Sequence, residues 1–175
     1  MMELRILLFL ILPLLFAGLS FVLVIKLKLF EFLKIPLDFG LKINAKRVFG
    51  DNKTFLGLTI MPLATLFWGT IINLLLQYPI NNFWLFLLPG FFYVLGELPN
   101  SFIKRRLNIA PGRVANTTGL RTLFWWIDKY DSLVAVGICY ILFFNAPVIV
   151  SLVAFVIGGG IHALVDLLMH RMGLK

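Results

Sequence analysis

Residues 6–25 read Ile-Leu-Leu-Phe-Leu-Ile-Leu-Pro-Leu-Leu-Phe-Ala-Gly-Leu-Ser-Phe-Val-Leu-Val-Ile, and Ser20 is the only polar side chain among them. The hydrocarbon core of a bilayer is about 30 Å thick and an α-helix rises about 1.5 Å per residue, so one crossing takes roughly 20 apolar residues. This stretch is long enough to cross once. It is also too long for the core of a typical signal peptide, and Lys26 and Lys28 follow where a cleavage site would stand, so a retained transmembrane span is expected.

The rest of the chain repeats the pattern. Hydrophobic residues make up 61% of the sequence and mean hydropathy is +0.98, beyond what a soluble core needs. Further apolar runs cover 55–76, 80–98 with an interruption at Pro89-Gly90, 122–144 and 147–169. Backbone polar groups cannot stay unpaired in hydrocarbon, and no segment alternates as a barrel strand does, so each run is expected to be helical. The expected fold is all-α: one integral membrane domain over 1–175, a polytopic helical bundle of about five transmembrane helices. Gln77-Tyr78-Pro79 and Asn145-Ala146-Pro147 are tight turns that make helical hairpins of the second and third runs and of the fourth and fifth. The lone Cys139 excludes an internal disulfide and reads as a small packing residue.

Basic residues set the expected orientation, because short loops rich in Lys and Arg stay inside. Loop 26–54 carries Lys26, Lys28, Lys34, Lys42, Lys46, Arg47 and Lys53; loop 99–121 carries Lys104, Arg105, Arg106, Arg113 and Arg121; the two turns carry none. Both loops are therefore expected in the cytoplasm, with the N-terminus outside and the C-terminus cytoplasmic, in the cell's inner (cytoplasmic) membrane. The net charge of +8 then reads as topogenic anchoring and attraction to anionic headgroups. It is split between two juxtamembrane loops without any nucleic-acid-binding motif, so nucleic acid is not an expected partner.

Acids near spans carry the chemistry, since a charge in a membrane helix normally has a partner, an ion or a task. Glu97 ends the third run, Asp128 and Asp131 open the fourth, and Asp166 lies in the last turns of the fifth. Asp128 and Asp131 stand three apart on one helical face, where two like charges repel unless a cation lies between them. A divalent metal resolves the conflict. Mg²⁺ prefers carboxylate oxygens and retains substrate phosphates, so Asp128, Asp131 and Glu97 form a candidate nucleotide-metal site, with place for a second cation. The plainer alternative is that Lys129, Arg121 or Arg106 neutralises these acids. His162, Asp166 and His170 share one face of the last run and are candidates for the same cleft, although buried hydrogen bonding to another span is the more ordinary use of such residues.

Two segments offer phosphate donors. In Gly50-Asp51-Asn52-Lys53-Thr54-Phe55-Leu56-Gly57, Lys53 and Thr54 enter a helix whose N-terminal dipole favours an anion. The spacing is not that of a Walker P-loop; alone, Lys53 would be a membrane anchor and Thr54 a helix cap. In 96–112, Ser101, Lys104, Arg105 and Arg106 follow Glu97, and three cations beside an acid and a hydroxyl are suited to a triphosphate. The same cations are also ordinary positive-inside punctuation.

The order of these elements is more specific than any one of them. Gly50-x-x-Lys53-Thr54, then Gly96-Glu97-x-x-x-Ser101-Phe102-Ile103-Lys104-Arg105-Arg106 with Pro111-Gly112 downstream, then Asp128-x-x-Asp131-Ser132, resembles the CDP-diglyceride and CDP-archaeol synthase superfamily. Residues 101–112 followed by Asp128-Lys129-Tyr130-Asp131, the shortness of the chain and the closing segment 162–175 are most similar to the CDP-archaeol synthase branch. The resemblance runs from Lys46 to the end. It implies a CTP-dependent lipid-phosphate cytidylyltransferase of phospholipid biosynthesis, in which Asp128 and Asp131 bind the catalytic metal, Lys104 acts catalytically, and Lys53, Thr54, Lys104 and Arg105 contact CTP phosphates. Glu97 stands where the family usually has aspartate, which moves the carboxylate by one methylene. The stretch between Gly112 and Asp128 is longer than expected for the archaeal branch. The implied partners are CTP, a lipid phosphate (archaetidic-acid-like or phosphatidic acid) and the bilayer, with assembly into a homo-oligomer left open. A catalytically inactive membrane scaffold and a small cation transporter are the rival classes.

Overall fold

The computed structural model describes residues 2–171, the side chains of Met2, Leu168, Met169 and His170 excepted. It is an all-helical bundle: α1 (Met2–Lys26), α2 (Phe55–Leu76), α3 (Leu87–Arg106), α4 (Thr118–Phe144) and α5 (Val148–Arg171). Four segments, Glu3–Lys26, Phe55–Leu76, Phe83–Arg106 and Val148–Leu167, are long and apolar enough to cross a membrane. The fifth helix, α4, is longer still, but Arg121, Asp128, Lys129 and Asp131 crowd its first half.

Three features differ from the expectation. The third run was expected to stop at Leu98, yet α3 continues through Pro99 to Arg106. Pro99 forfeits one backbone hydrogen bond, but the continuation buries Asn100, Ser101 and Arg105, and that packing holds the helix. Pro89 does not interrupt α3 because it falls in the first turn, where its missing N–H has no intrahelical acceptor. The first loop is not plain coil either: β1 (Lys42–Ile43) and β2 (Lys46–Arg47) form a small antiparallel hairpin, turned by Asn44 and Ala45 at positive φ.

Consecutive helices pack antiparallel, α1 on α2, α2 on α3, α3 on α4 and α4 on α5, with α5 returning to α1. Lipid tails are as apolar as leucine, so these contacts rest on close fit rather than on exclusion of water. Glycines supply the fit. At Gly90 a Cβ would stand 2.5 Å from Pro62 Cα, and at Gly96 it would stand 2.9 Å from Ser132 Cα, so α2, α3 and α4 approach to backbone contact. Gly159 of α5 receives the ring of Tyr130, whose Cε1 a Cβ would meet at 2.2 Å. At the end that holds the chain's N-terminus, Phe9 stacks on Tyr78 with ring centroids 4.2 Å apart and meets Phe86 and Phe144. The buried Cys139 packs in the same core. The end of α1, the starts of α2 and α4 and the ends of α3 and α5 gather at the opposite face of the bundle. Among the described residues every Lys and Arg except Arg5 belongs to that face.

Candidate active site

The first loop is built to hold Lys53 still. The Asp38 carboxylate, its side chain 1% exposed, accepts hydrogen bonds from the backbone N–H groups of Gly40 (3.1 Å), Phe49 (2.9 Å) and Gly50 (3.0 Å) and from Arg47 Nη2 (2.5 Å). Burial alone would raise its pKa, but Arg47 and the three amides outweigh that and hold the carboxyl well below the usual range. Arg106 fastens the hairpin to the end of α3, donating to the carbonyls of Ile43 (2.6 Å), Lys46 (2.9 Å) and Arg47 (2.6 Å), while Lys46 Nζ donates to the Arg106 carbonyl at 2.8 Å. Gly50 sits at φ +95° with Pro111 against it, where a Cβ would be 2.7 Å from Pro111 Cγ. The second basic segment thus closes over the first.

Lys53 leaves this scaffold and pairs with Glu97 of α3. Burial works against its charge, but Glu97 and, farther away, Asp131 and Asp128 more than compensate, so its pKa is raised and the ammonium keeps its proton. Lys104, two helical turns beyond Glu97, pairs with Asp128. Between them, Asn100 Nδ2 donates to Asp128 Oδ1 and to Asp131 Oδ2, both at 2.7 Å. One nitrogen therefore holds the two carboxylates of α4 side by side. Asp131 Oδ1 also accepts from the Ser132 N–H at 2.7 Å. Arg105 is 9% exposed, and its Nε and Nη1 are buried without a hydrogen-bond partner beside Gly50. A desolvated guanidinium with idle donors is a receptor for an anion.

On α5, Asp166 accepts from Lys129, which is 4% exposed and lies 5.6 Å from the Trp125 ring centre. His162 Nδ1 is 3.3 Å from the Lys129 carbonyl, and its Nε2 is 3.5 Å from the Tyr93 hydroxyl. Tyr93 stands one turn before Glu97 on α3. From Tyr93 and His162 an apolar groove of about 100 Å³ runs between α1, α4 and α5, lined by Leu14, Gly18, Val136 and Phe155. Glu97, Asp128 and Asp131 do not line it; Tyr93 and His162 form the border between groove and acids.

The expected residues are only partly brought together. Lys53, Glu97, Lys104, Asp128 and Asp131 converge. Glu97 turns to Lys53 instead of completing a three-acid set, and among the described residues no three His, Cys, Asp or Glu side chains close on a common point. The neutralising cations differ from those anticipated: Lys53 and Lys104 serve Glu97 and Asp128, Lys129 serves Asp166, Arg121 donates to the Ala115 carbonyl at 3.4 Å, and Arg106 is occupied by the hairpin. Thr54 stands at the N-cap of α2 without a side-chain capping bond, so its hydroxyl is not spent on the helix. Ser101 is buried on α3 one residue from Asn100. His162 and Asp166 do bond to another span. The side chain of His170 lies outside the described residues. Asn100, Tyr93 and Asp38 were not anticipated; only the spacing of Asn100, three after Glu97 and four before Lys104, placed it on the same helical face.

Oxygen donors without sulfur suit a hard divalent cation, and the polar N–H₂ of Asn100 already occupies the position between Asp128 and Asp131 that such a cation favours. The residues present fit the metal.

The sequence is 35% identical over 144 residues to the CDP-archaeol synthase of Pyrobaculum aerophilum, a match covering 80% of this chain and 79% of that protein. It is 34% identical over 144 residues to the CDP-archaeol synthase of Thermofilum pendens, covering 80% of this chain and 64% of that longer protein. It is 28% identical over 143 residues to the CDP-archaeol synthase of Sulfurisphaera tokodaii, covering 80% and 79%. No solved structure matches. The sequence model of the CarS-like CDP-archaeol synthases spans residues 2–175, and the chain belongs to that family.

Proposed function

We propose that the protein transfers the cytidylyl group of CTP to a lipid phosphate monoester, giving a CDP-activated lipid and pyrophosphate. The carrying observation is the convergence of the Asp128–Asp131 pair with Lys53 and Lys104 near an apolar groove, with the buried Arg105, its Nε and Nη1 without hydrogen-bond partners, on the same end of α3. A lipid-phosphate oxygen attacks the α-phosphorus of CTP, the new P–O bond forms, and the bond to the bridging oxygen breaks in line as pyrophosphate departs. Both reactants are polyanions, so the catalytic demand is charge neutralisation and positioning rather than a protein nucleophile.

Arg105, Lys53 and Lys104 supply cations for the triphosphate; Lys53 and Lys104 exchange a carboxylate partner for a phosphate as CTP arrives. Asp128 and Asp131 would hold Mg²⁺, which when bound shields phosphate charge. Glu97 keeps Lys53 aimed at the cluster. The headgroup-proximal carbons of the lipid tail enter the groove, and its phosphate reaches the acids past Tyr93 and His162. The names of the relatives favour an archaetidic-acid-like ether lipid phosphate over phosphatidic acid. The concentration of Lys and Arg at the site end supports a cytoplasmic site in the inner membrane, with the N-terminus outside. Family membership favours this reading over the scaffold and the transporter.

The test is pyrophosphate release by detergent-purified protein with CTP and Mg²⁺, offered the ether lipid phosphate, phosphatidic acid or no lipid. Lipid-dependent release is expected, and Asp131→Asn should lower it by on the order of 10²–10³ while inserting normally into membranes. Silence with both lipids from folded protein, or near-full activity of Asp131→Asn, would refute the assignment.

A further inference from the structure

The loop between α1 and α2 has two faces. On the inner one Asp38 gathers the backbone amides and Arg47 that hold Lys53 in place; the outer one is apolar. Leu29, Phe30, Phe32, Ile35, Phe39 and Leu41 are all exposed, Phe32 and Phe39 at 73% and 74%, and the rings of Phe30 and Phe32 meet at 6.3 Å. Large apolar side chains gathered on an exposed face mark a contact with something other than water. The backbone fixes the level of this face. Lys28 and Phe30, both at positive φ, turn the chain out of α1, while the Leu29 N–H still donates to the Val24 carbonyl at 3.0 Å. At the far end the Phe55 N–H donates to the Ile35 carbonyl at 3.0 Å, and the Leu37 N–H donates to the Lys53 carbonyl at 2.7 Å. The Phe39 ring stands 5.3 Å from that of Phe55, the first residue of α2. Both α1 and α2 are long and apolar enough to cross the membrane. The outer face is therefore tied to the level at which one span leaves the bilayer and the next enters it.

Charge on the same segment fits that level. Lys28, Lys34 and Lys42 stand among the apolar residues. The two acids of the segment are spent, Glu31 on Lys34 at 2.5 Å and Asp38 on the inner face. Aromatic and aliphatic side chains that reach toward acyl chains, with lysines that extend to lipid phosphates, make up a surface that lies in the membrane interface. Water would suit the lysines and not the phenylalanines; hydrocarbon alone would do the reverse. We propose that the outer face of residues 27–43 is a membrane-interface anchor, with its apolar side chains sunk beside the headgroups and its lysines among the lipid phosphates. Its partner is the bilayer that the spans already cross, met from the surface rather than from within.

The experiment is spin-label accessibility on the full-length chain in vesicles of phosphatidylcholine and phosphatidylglycerol. The native Cys139 is fully buried and stays unlabelled, so Phe32→Cys, Phe39→Cys and Asp51→Cys each offer one reactive thiol. Asp51 is exposed and charged on the same loop and serves as the water-facing reference. Collision of the label with O₂, which concentrates in hydrocarbon, is compared with collision with the nickel chelate NiEDDA, which stays in water. At both phenylalanine positions the ratio of O₂ to NiEDDA collision should exceed that at Asp51→Cys several-fold. A ratio equal to the reference at either position would put that side chain in water and overturn the inference. Poor access to both reagents would mean a protein contact, and spectral broadening that vanishes on dilution with unlabelled chain would identify a second copy as the partner; either result also overturns it. Phe32 and Phe39 are mostly exposed, so cysteine there leaves the packing of the bundle intact, and Leu41→Cys replaces whichever variant does not fold.

Discussion

Gly90 is the position where a single methyl group should reach the active site from a distance. A Cβ there would stand 2.5 Å from Pro62 Cα, Pro62 N and Thr65 Oγ1, whereas ordinary contact is 3.4–4 Å. Two of the three atoms are backbone, and Thr65 is held by its bonds to the Met61 and Pro62 carbonyls, so no side chain can simply swing away. Gly90→Ala must therefore part α2 from α3 by about 1 Å at their crossing. Overpacking of this kind costs up to about 3 kcal/mol, and the better helix propensity of alanine returns about 1, leaving a net loss of about 2 kcal/mol. For a chain of this size that corresponds to a Tm lower by about 4–8 °C in detergent. Activity should fall as well, because Lys53 enters α2 and Glu97 lies two turns along α3, so the displacement separates partners of the site. Gly160→Ala is the matched control, with nothing within 4 Å of its added methyl, and should leave Tm unchanged or slightly higher. A Gly90→Ala protein as stable as wild type, or an equal loss in Gly160→Ala, would refute the reasoning.

Two further outcomes follow from the first loop. The native carboxyl of Asp38 is held below its ordinary pKa of about 3.9, so the stability it contributes is complete above about pH 5 and disappears as pH falls through 4 toward its native value. Asp38→Asn should thus lower Tm at pH 7, with the gap to wild type narrowing from pH 5 to pH 3; a gap independent of pH would show that the charge is irrelevant. Arg106→Ala removes three hydrogen bonds to the hairpin carbonyls and should open residues 42–47 to limited proteolysis several-fold faster, which peptide mapping would detect; unchanged cleavage would mean that the hairpin stands without its clamp.

The bundle was legible because hydropathy is additive along a chain: residues 6–25, 55–76 and 147–169 announce their helices without reference to anything else. The end of α3 was not, since burial of Asn100, Ser101 and Arg105 depends on where α4 lies, and a polar stretch after proline reads as a loop. The hairpin lacked the Asn-Gly pair that marks such turns, using Asn44 and Ala45 instead. Asp128 and Asp131 were readable because their spacing is local. The pairing of Lys53 with Glu97 joins residues 44 apart, which no local pattern encodes. Asn100 carries no charge and belongs to no metal signature, so only its two neighbours in space reveal it.

The ion pair between Lys129 and Asp166 bears on how the protein is made. Residues 132–144 of α4 span about 20 Å at 1.5 Å per residue, short of a hydrocarbon layer about 30 Å thick. Charged residues of α4 must then be drawn toward the lipid, where each unpaired one costs about 2.5–3.5 kcal/mol at mid-bilayer depth and less near the surface. During synthesis α4 emerges first, with a lysine whose counter-ion has yet to be translated. Asp166 arrives on the next helix, across a connection formed by Asn145, Ala146 and Pro147, so the charge of Lys129 is paired once α5 packs on α4. α5 thus does two things at once: it walls the groove and supplies the counter-ion of a lysine on the helix before it.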